Sequence, residues 1–299
     1  MKNLKNSLSV IILTYNEEVN IEKCLKSVAG IADEIFIVDS YSTDKTLEIA
    51  EKYSAKIYQH PFENQAQQFN WALDNLDIKN DWILRLDADE YLTEELKKEI
   101  DETLINEKIS INQPNQHKSA AINGYYMKRR VYFMGRWIKH GGYYPAWFLR
   151  LWRTGKARYE NREVDEHAVL LDGEAAFLKN DFIDENRKDL SWWIQKINNY
   201  TTREVIARSR EASEAARIGG KLSGTQAERK RWFRKNIYYR LPFFLRAFAY
   251  FFYRYFIRFG FLDGKEGLIF HFLQGLWNQF LVDAKLYEEK ISAQHKSDE

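Results

Sequence analysis

The chain has 299 residues, 45% of them hydrophobic and 15% aromatic, with a formal net charge of +2, which excludes a disordered chain and leaves room for one large or two smaller domains. Its one cysteine, Cys24, excludes an internal disulfide and fits a reducing compartment. The near-neutral total hides an asymmetry: residues 1–105 carry 11 Lys and Arg against 21 Asp and Glu, whereas residues 187–260 carry 17 against 5. Two surfaces with different partners are expected from this, with ordinary solvated faces as the alternative.

The first apolar run, Val10 to Leu13, reads as a strand rather than a signal peptide, and it ends at Thr14-Tyr15-Asn16-Glu17. An amphipathic helix follows through Ile21, Leu25 and Val28, then a strand from Ile35 to Val38 that stops at Asp39-Ser40. Ser42 or Thr43 can cap the next helix, whose positive end suits Asp44. Lys56 to Tyr58 is a short strand, Phe69 to Leu76 a helix, and Trp82 to Leu86 a buried strand running into Asp87-Ala88-Asp89-Glu90. Strands alternating with helices predict an α/β domain with a mainly parallel central sheet, whose ligands bind beyond the carboxyl ends of the strands. Residues 106–123 read as a polar surface loop, and strand character returns from Tyr125 to Met134 and from Trp147 to Trp152. From about Lys188 to the end the pattern is helical. The longest charge-free apolar stretch there, Gly267 to Val282, contains His271, Gln274, Asn278 and Gln279 and is too short to cross a bilayer.

Polar clusters end three successive strands. Asp87 and Asp89 lie two residues apart after a buried strand, so one carboxylate can face a ribose while a turn brings the other toward a cation. Asp39 can accept from a base N–H or serve as a turn aspartate; Asn16 and Glu17 can border a ligand or cap the first helix. Asp165 and Glu166, in REVDEH, are adjacent carboxylates whose repulsion or burial can raise one pKa, an exposed acidic turn being the alternative. The stretch KHGGYYP joins turn glycines to aromatics: Lys139 or His140 can meet acidic groups, Tyr143 and Tyr144 can face sugar rings, and all can equally be structural.

SVIILTYNEE, IVDSYSTDKT and WILRLDADE, in this order, resemble the family 2 glycosyltransferases. RRVYFMGRWIKHGGYYPAWFLRLWR, REVDEH and GFLDGKEG extend the likeness to the subgroup that includes lipopolysaccharide core glucosyltransferases. The resemblance implies a GT-A-like, Rossmann-type nucleotide-binding domain over residues 1–187, with a donor site in 1–105 and an acceptor side in 124–187, followed by a membrane-associating, acceptor-side region in 188–299. It implies Thr14, Asn16, Glu17 and Asp39 around the nucleotide, and Gln68 and Asn70 near the diphosphate or ribose. Asp87 falls on ribose or sugar, Asp89 on a divalent metal, Mg²⁺ or Mn²⁺, and Glu166, or Asp165 if the register slips by one, on the base. Lys139, His140 and Tyr144 fall on the acceptor side. The expected reaction is inverting transfer of a hexose from a UDP-sugar to a lipid-linked glycan, on the cytoplasmic face of a bacterial plasma membrane. Relatives often carry glycine where this chain has Tyr41.

Between Lys235 and Phe259, Arg240, Arg246, Arg254 and Arg258 share one helical edge opposite Phe244, Phe248, Phe251, Phe252, Tyr255, Phe256 and Phe259. Such a helix suits the surface of an anionic membrane, a packed core helix being the alternative. Nucleic acid is not an expected partner, because no recognition motif is present and the N-terminal half is acidic. A noncatalytic partner of a glycan-assembly enzyme is disfavoured by the acids retained together. A nucleotidyltransferase is disfavoured because TYNEEVNIEK is no glycine-rich phosphate loop.

Overall fold

The computed structural model describes residues 7–111, 121–160, 167–213, 223 and 226–297. In chain order it contains β1 (Leu8–Thr14), α1 (Ile21–Val28), β2 (Glu34–Asp39), α2 (Thr46–Glu51), β3 (Lys56–Gln59), α3 (Gln65–Asn75), β4 (Trp82–Asp87), β5 (Glu90–Leu92) and α4 (Glu94–Ile111). There follow β6 (Ile122–Phe133), β7 (Arg136–Ile138), β8 (Trp147–Arg153), β9 (Ala157–Tyr159), β10 (Ala168–Leu170) and β11 (Glu174–Glu185). The remaining helices are α5 (Leu190–Ser213), α6 (Gln226–Asn236), α7 (Leu245–Phe252), α8 (Gly264–His271) and α9 (Asn278–Ser297). The chain divides into two compact units, Met1–Tyr132 with Trp147–Arg187, and Phe133–Ala146 with Lys188–Glu299.

In the first unit the strands run in the order β3-β2-β1-β4-β8-β6-β11-β5. The pairings among β3, β2, β1 and β4 are parallel. Beyond β4 the sheet is mixed: β8 is antiparallel to β4 and β6, β11 is parallel to β6, and β5 is antiparallel to β11. All seven residues of β1 are buried, as expected of a strand covered on both faces. Leu8, Val10 and Ile12 belong to one core with Ile21, Leu25 and Val28 of α1 and with Leu96, Ile100 and Leu104 of α4. Ile11 and Leu13 belong to the other, with Phe69 and Ala72 of α3. The period of two in the strand meets the i, i+4, i+7 spacing of α1, and Asn64 caps α3 by accepting from the Gln67 amide at 2.8 Å.

Two local expectations change. Residues 106–111, expected to be loop, continue α4, because Leu104 extends its buried stripe and Glu107 accepts from Arg153 at 2.7 Å and from the Tyr125 hydroxyl at 2.8 Å. Ser42 and Thr43 do not cap α2; the Asp44 carboxylate accepts from the Thr46 amide at 3.0 Å, while Ser42 and Thr43 turn back toward Asp39 and Asn16.

The second unit is mainly helical. Its α5 and α9 pack together, with Lys285 Nζ donating to the Asn198 carbonyl at 3.0 Å and to the Thr201 hydroxyl at 2.9 Å. Among the described residues, no helix is long and apolar enough to cross a membrane. Pro242 is the residue expected to limit the start of the aromatic helix to its first turn; α6 ends at Asn236, and α7 starts at Leu245, after Pro242 and after Phe244 at φ 65°. Proline clashes with a preceding helical turn, so the chain restarts beyond it.

The arginine edge is divided: Arg240 and Arg258 are exposed, whereas Arg246 and Arg254 turn inward. Arg246 is buried and forms an ion pair with Asp283 of α9, its Nε lying 2.8 Å from Oδ1 and 3.0 Å from Oδ2. Arg254 donates from Nε to the Gly141 carbonyl at 2.7 Å and lies 3.8 Å over the Tyr143 ring. The aromatic side instead faces outward, with Phe248, Phe252, Phe256 and Phe259 respectively 53, 55, 46 and 56% exposed. The Arg246 and Arg254 guanidinium groups went inside because each met a fixed acceptor or an aromatic face there.

Candidate active site

The parallel register assembles the site in the first unit. Thr14 pairs with Asp39, and Leu13 with Asp87, so the carboxyl ends of β2, β1 and β4 place Asp39, Thr14 and Asp87 on one rim. Such a rim is where open α/β sheets receive ligands. Thr14 is buried, and its hydroxyl has no hydrogen-bond partner, a donor that a ligand oxygen would satisfy.

Most of the other rim side chains are engaged with one another. Asp39 is fully buried; it accepts from the Ser42 amide at 2.9 Å, from the Ser42 hydroxyl at 2.5 Å and from the Gln59 side chain at 3.3 Å. Asn16, at φ 51°, donates its amide to the Ser42 hydroxyl and accepts from the Thr43 amide at 2.7 Å. The Glu17 carboxylate accepts from the Asn20 side chain at 2.6 Å, and the Glu17 amide donates to the Thr46 hydroxyl at 2.7 Å. These bonds shape the two turns that border the rim.

Tyr41, exposed between them, has φ 63°. A side chain in the left-handed region costs roughly 1 kcal/mol that glycine avoids, which is the physical meaning of the departure noted at this position. Tyr41→Gly is therefore expected to raise the unfolding free energy by about 1 kcal/mol, measured by denaturant titration; an equal or lower value would show that the tyrosine ring makes up for its strained backbone.

Gln68 and Asn70 lie on α3, and both are hydrogen-bonded within the first unit. Gln68 is buried, donates to the Ser40 hydroxyl at 3.2 Å and to the His60 carbonyl at 3.1 Å, and contacts His60 Nδ1 at 2.7 Å. Asn70 clamps the end of β9, donating to the Tyr159 carbonyl and accepting from the Tyr159 amide, each at 3.0 Å. The Tyr159 hydroxyl contacts Arg85, and Arg85 donates to Asp87 at 2.9 Å. Just beyond Tyr159, the Glu160 amide donates to the His167 carbonyl at 3.0 Å. Asp165 and Glu166 lie outside the described residues.

At the Asp87-Ala88-Asp89 turn, the Asp87 amide donates to Glu90 at 2.9 Å, and Glu90 accepts from Arg150 of β8 at 2.5 Å. Arg85, Glu90 and Arg150 are all buried. Burial drives the Glu90 carboxyl up to about 8, against the pull of the Arg150 guanidinium. Asn186, at the end of β11, donates to Asp89 Oδ2 at 2.9 Å, and the Glu185 amide donates to the Asp89 carbonyl at 3.0 Å. Sequence reading passed over Arg85, Glu90, Arg150 and Asn186. A charged residue inside an apolar strand was the available signal for Arg85 and Arg150, but their partners come from distant strands.

The donor chemistry at Asp87 and Asp89, hard carboxylate oxygens two residues apart, suits Mg²⁺ or Mn²⁺, which takes one or two carboxylates and leaves positions for phosphate oxygens. Among the described residues no three His, Cys, Asp or Glu side chains gather as a complete metal cage.

Lys139, His140 and Tyr144 belong to the second unit. Lys139 Nζ lies 5.4 Å from the Trp137 ring centroid, and the Tyr144 ring meets Trp137 edge-on at 5.1 Å. His140 Nδ1 is 2.6 Å from Asp263.

The carboxyl edge of the parallel strands gathers an unpartnered hydroxyl, two aspartates and an acidic turn, the edge at which open α/β sheets receive ligands. The sequence model of Glycosyl transferase family 2 matches residues 9–186, and the chain belongs to that family, with a GT-A-like fold in its first unit. An uncharacterized glycosyltransferase of Rickettsia felis is 29% identical over 290 residues, covering 96% of this chain and 92% of that protein. Another, from Rickettsia bellii, is 46% identical over 98 residues, so that the match spans only 33% of that relative's length and 33% of this chain. The lipopolysaccharide core biosynthesis glycosyltransferase LpsC of Rhizobium meliloti is 30% identical over 174 residues, 56% of this chain and 59% of LpsC. Among solved structures, the mannosyltransferase PcManGT of Pyrobaculum calidifontis, in complex with GDP-Man and Mn²⁺, aligns over 95% of this chain and 87% of its own, at 13% identity and a TM-score of 0.49.

Proposed function

We propose that the chain is an inverting glycosyltransferase that moves a hexose, glucose or a close analogue, from a UDP-sugar to a hydroxyl of a lipid-linked glycan such as a lipopolysaccharide core intermediate. The observation that carries this reading is the single rim formed by Thr14, Asp39 and Asp87, with Asp89 on the adjoining turn. Family membership and the similarity to LpsC support the reaction class and the type of acceptor. In this reading Asp39 and the Asn16–Glu17 turn border the base, Gln68 and Asn70 stiffen the wall beside the diphosphate, and Asp87 meets the ribose or sugar.

Asp89 holds the divalent metal, with Asn186 orienting its carboxylate. A bound Mg²⁺ or Mn²⁺ supplies positive charge for the departing diphosphate. The acceptor oxygen forms its bond to the anomeric carbon as the bond to UDP breaks, and the hydroxyl proton passes to Glu166, or to Asp165 if the register is shifted. The deciding experiment is a donor panel with Mn²⁺, scoring nucleotide release and protection against unfolding. Silence toward every UDP- and GDP-sugar would overturn the proposal. Glu166→Gln should keep UDP-sugar binding while transfer falls by about 10²-fold; if Asp165→Asn alone does so, the base is one residue earlier.

The second unit's partner in this reading is the anionic inner surface of the bacterial plasma membrane, met through the half-exposed rings of Phe248, Phe252, Phe256 and Phe259. Because Arg246 and Arg254 are engaged internally, insertion of rings should dominate over charge. Phe252→Ser combined with Phe256→Ser should weaken partition into phosphatidylglycerol-containing vesicles by roughly 30-fold, about 1 kcal/mol per half-buried ring. Unchanged co-sedimentation would assign the rings to another partner.

A further inference from the structure

Two motifs that the donor site leaves unused, KHGGYYP and GFLDGKEG, meet within the second unit. Asp263, from the second, is buried and binds His140 of the first twice: it accepts from the His140 amide at 2.9 Å, and its Oδ1 lies 2.6 Å from Nδ1. Gly141 is locked on either side, its amide donating to the Arg258 carbonyl at 2.9 Å and its carbonyl accepting from Arg254 at 2.7 Å. Beneath lies His271, fully buried, with neither ring nitrogen hydrogen-bonded and Nε2 3.9 Å from Asp263 Oδ2. The close approach explains the glycine: a Cβ on Gly141 would stand 2.0 Å from His271 Cε1, and the backbone there has φ +66°. Burial alone would raise the Asp263 carboxyl; the His271 and His140 imidazoles bring it below the usual carboxylate value, so it stays ionised.

An imidazole tied through Nδ1 keeps Nε2 as its remaining polar atom, an N–H donor when the ring is charged. The His140 side chain is 32% exposed. Lys139 precedes it in the chain, the Arg258 carbonyl accepts from the following Gly141 amide, and Arg136 reaches the carbonyl next to Asp263; all three are exposed and, among the described residues, in no ion pair with a carboxylate. The Arg258 guanidinium lies 3.8 Å from where a Gly142 Cβ would be, and Arg136 donates to the Leu262 carbonyl at 3.3 Å. The nearby acids are buried Asp263 and half-buried Glu266. An imidazole of fixed orientation, with cations on the same glycine turn that face no carboxylate, suits an oxyanion.

We infer that His140, held by Asp263 and flanked by Lys139 and Arg258, forms a binding subsite for a phosphate or carboxylate group on the acceptor. Asp263 is then a positioning residue and His140 the group that touches the ligand. This rests on the transferase reading only in naming the acceptor as the source of the anion.

The test uses the full chain labelled with ¹⁵N-histidine, titrated with inorganic phosphate, sodium acetate and sodium chloride at constant ionic strength. The neutral His140 ring should carry its proton on Nδ1, held by Asp263; with phosphate or acetate bound both ring nitrogens should report protons, and the resonances should shift saturably with either anion but not with chloride. Asp263→Asn should change that tautomer signature and weaken the phosphate response about tenfold, the loss of one charge-assisted contact. If that variant fails to fold, His140→Gln keeps Asp263 in place, and the phosphate-induced shifts of the Gly141 and Gly142 amides should disappear. Equal, unsaturating responses to all three salts overturn the subsite. An intact phosphate response in Asp263→Asn reduces Asp263 to a structural role and overturns its positioning of His140. Shifts caused by phosphatidylglycerol vesicles but not by inorganic phosphate would make the source a lipid headgroup and overturn the acceptor assignment. UDP binding measured on the same sample separates the two readings, since its absence sinks the transferase proposal without altering the phosphate titration.

Discussion

In the Asp89→Ala variant, turnover of a UDP-hexose with Mn²⁺ is expected to fall by roughly 10³-fold, about 4 kcal/mol of transition-state stabilisation. Asp89 sits on a turn fixed from two sides, by the Asn186 side chain on its carboxylate and by the Glu185 amide on its carbonyl. The alanine chain keeps the carbonyl contact, so the thermal midpoint should move by no more than about 4 °C, the shift expected for loss of one hydrogen bond. The loss should therefore appear as chemistry, with the fold retained. Steady-state kinetics across Mn²⁺ concentrations check this, and full activity at saturating metal would remove Asp89 from the metal site. Asn186→Ala should produce a weaker form of the same phenotype, because it leaves the carboxylate in place but free to turn.

Arg246→Met should lower the unfolding free energy by about 3–5 kcal/mol, since it leaves a carboxylate in the interior without its cation. Asp283 is completely buried and, besides Arg246, accepts from the Phe244 amide at 2.8 Å. One neutral donor does not replace a two-point guanidinium contact. Removing the partner as well, in Arg246→Met with Asp283→Leu, should recover most of the loss, because an apolar pair of similar volume carries no desolvation penalty. Urea titration of the two variants decides the matter. A single variant within 1 kcal/mol of the parent would mean that Asp283 takes up a proton or reaches water at little cost. The pair joins α7 to α9, and its Phe244 contact holds the residue at φ 65° where α7 begins. The expected weakness is therefore local to the base of the aromatic surface.

Local patterns in the sequence were enough for the element order from β1 to β4 and for β6 and β8, whereas β5, α4, β9, β10 and β11 were not read. A strand of seven buried residues, a helix with apolar positions at i, i+4 and i+7, and polar clusters at strand ends are short-range features, and short-range features survive folding unchanged. Once the strands were taken as parallel, Thr14, Asp39 and Asp87 had to share an edge, because the carboxyl ends of parallel neighbours lie side by side. Cys24 inside α1 and the clusters of β1 follow from the same periodicities. Where α4 ended was not legible: Glu107 is held in place by Tyr125 and Arg153, which belong to β6 and β8.

Partnership across long sequence separations was left to tertiary structure. The direction of an arginine depends on what waits on either side of its helix, and a helical wheel carries no information about Asp283, Gly141 or Tyr143. Amphipathic character was readable between Lys235 and Phe259; which arginines would turn inside was not, and the packing of α9 against α7 placed Arg246 there. Likewise, Asp87 and Asp89 were legible as acids after a strand. The buried network of Arg85, Glu90 and Arg150 that holds that turn exists only because β8 lies beside β4, a pairing set by burial of both strands and not by any motif in either. Sequence determined which groups are available at each strand end; the tertiary fold decided which of them are already bound to one another, because a hydrogen bond needs two partners and the chain supplies them far apart.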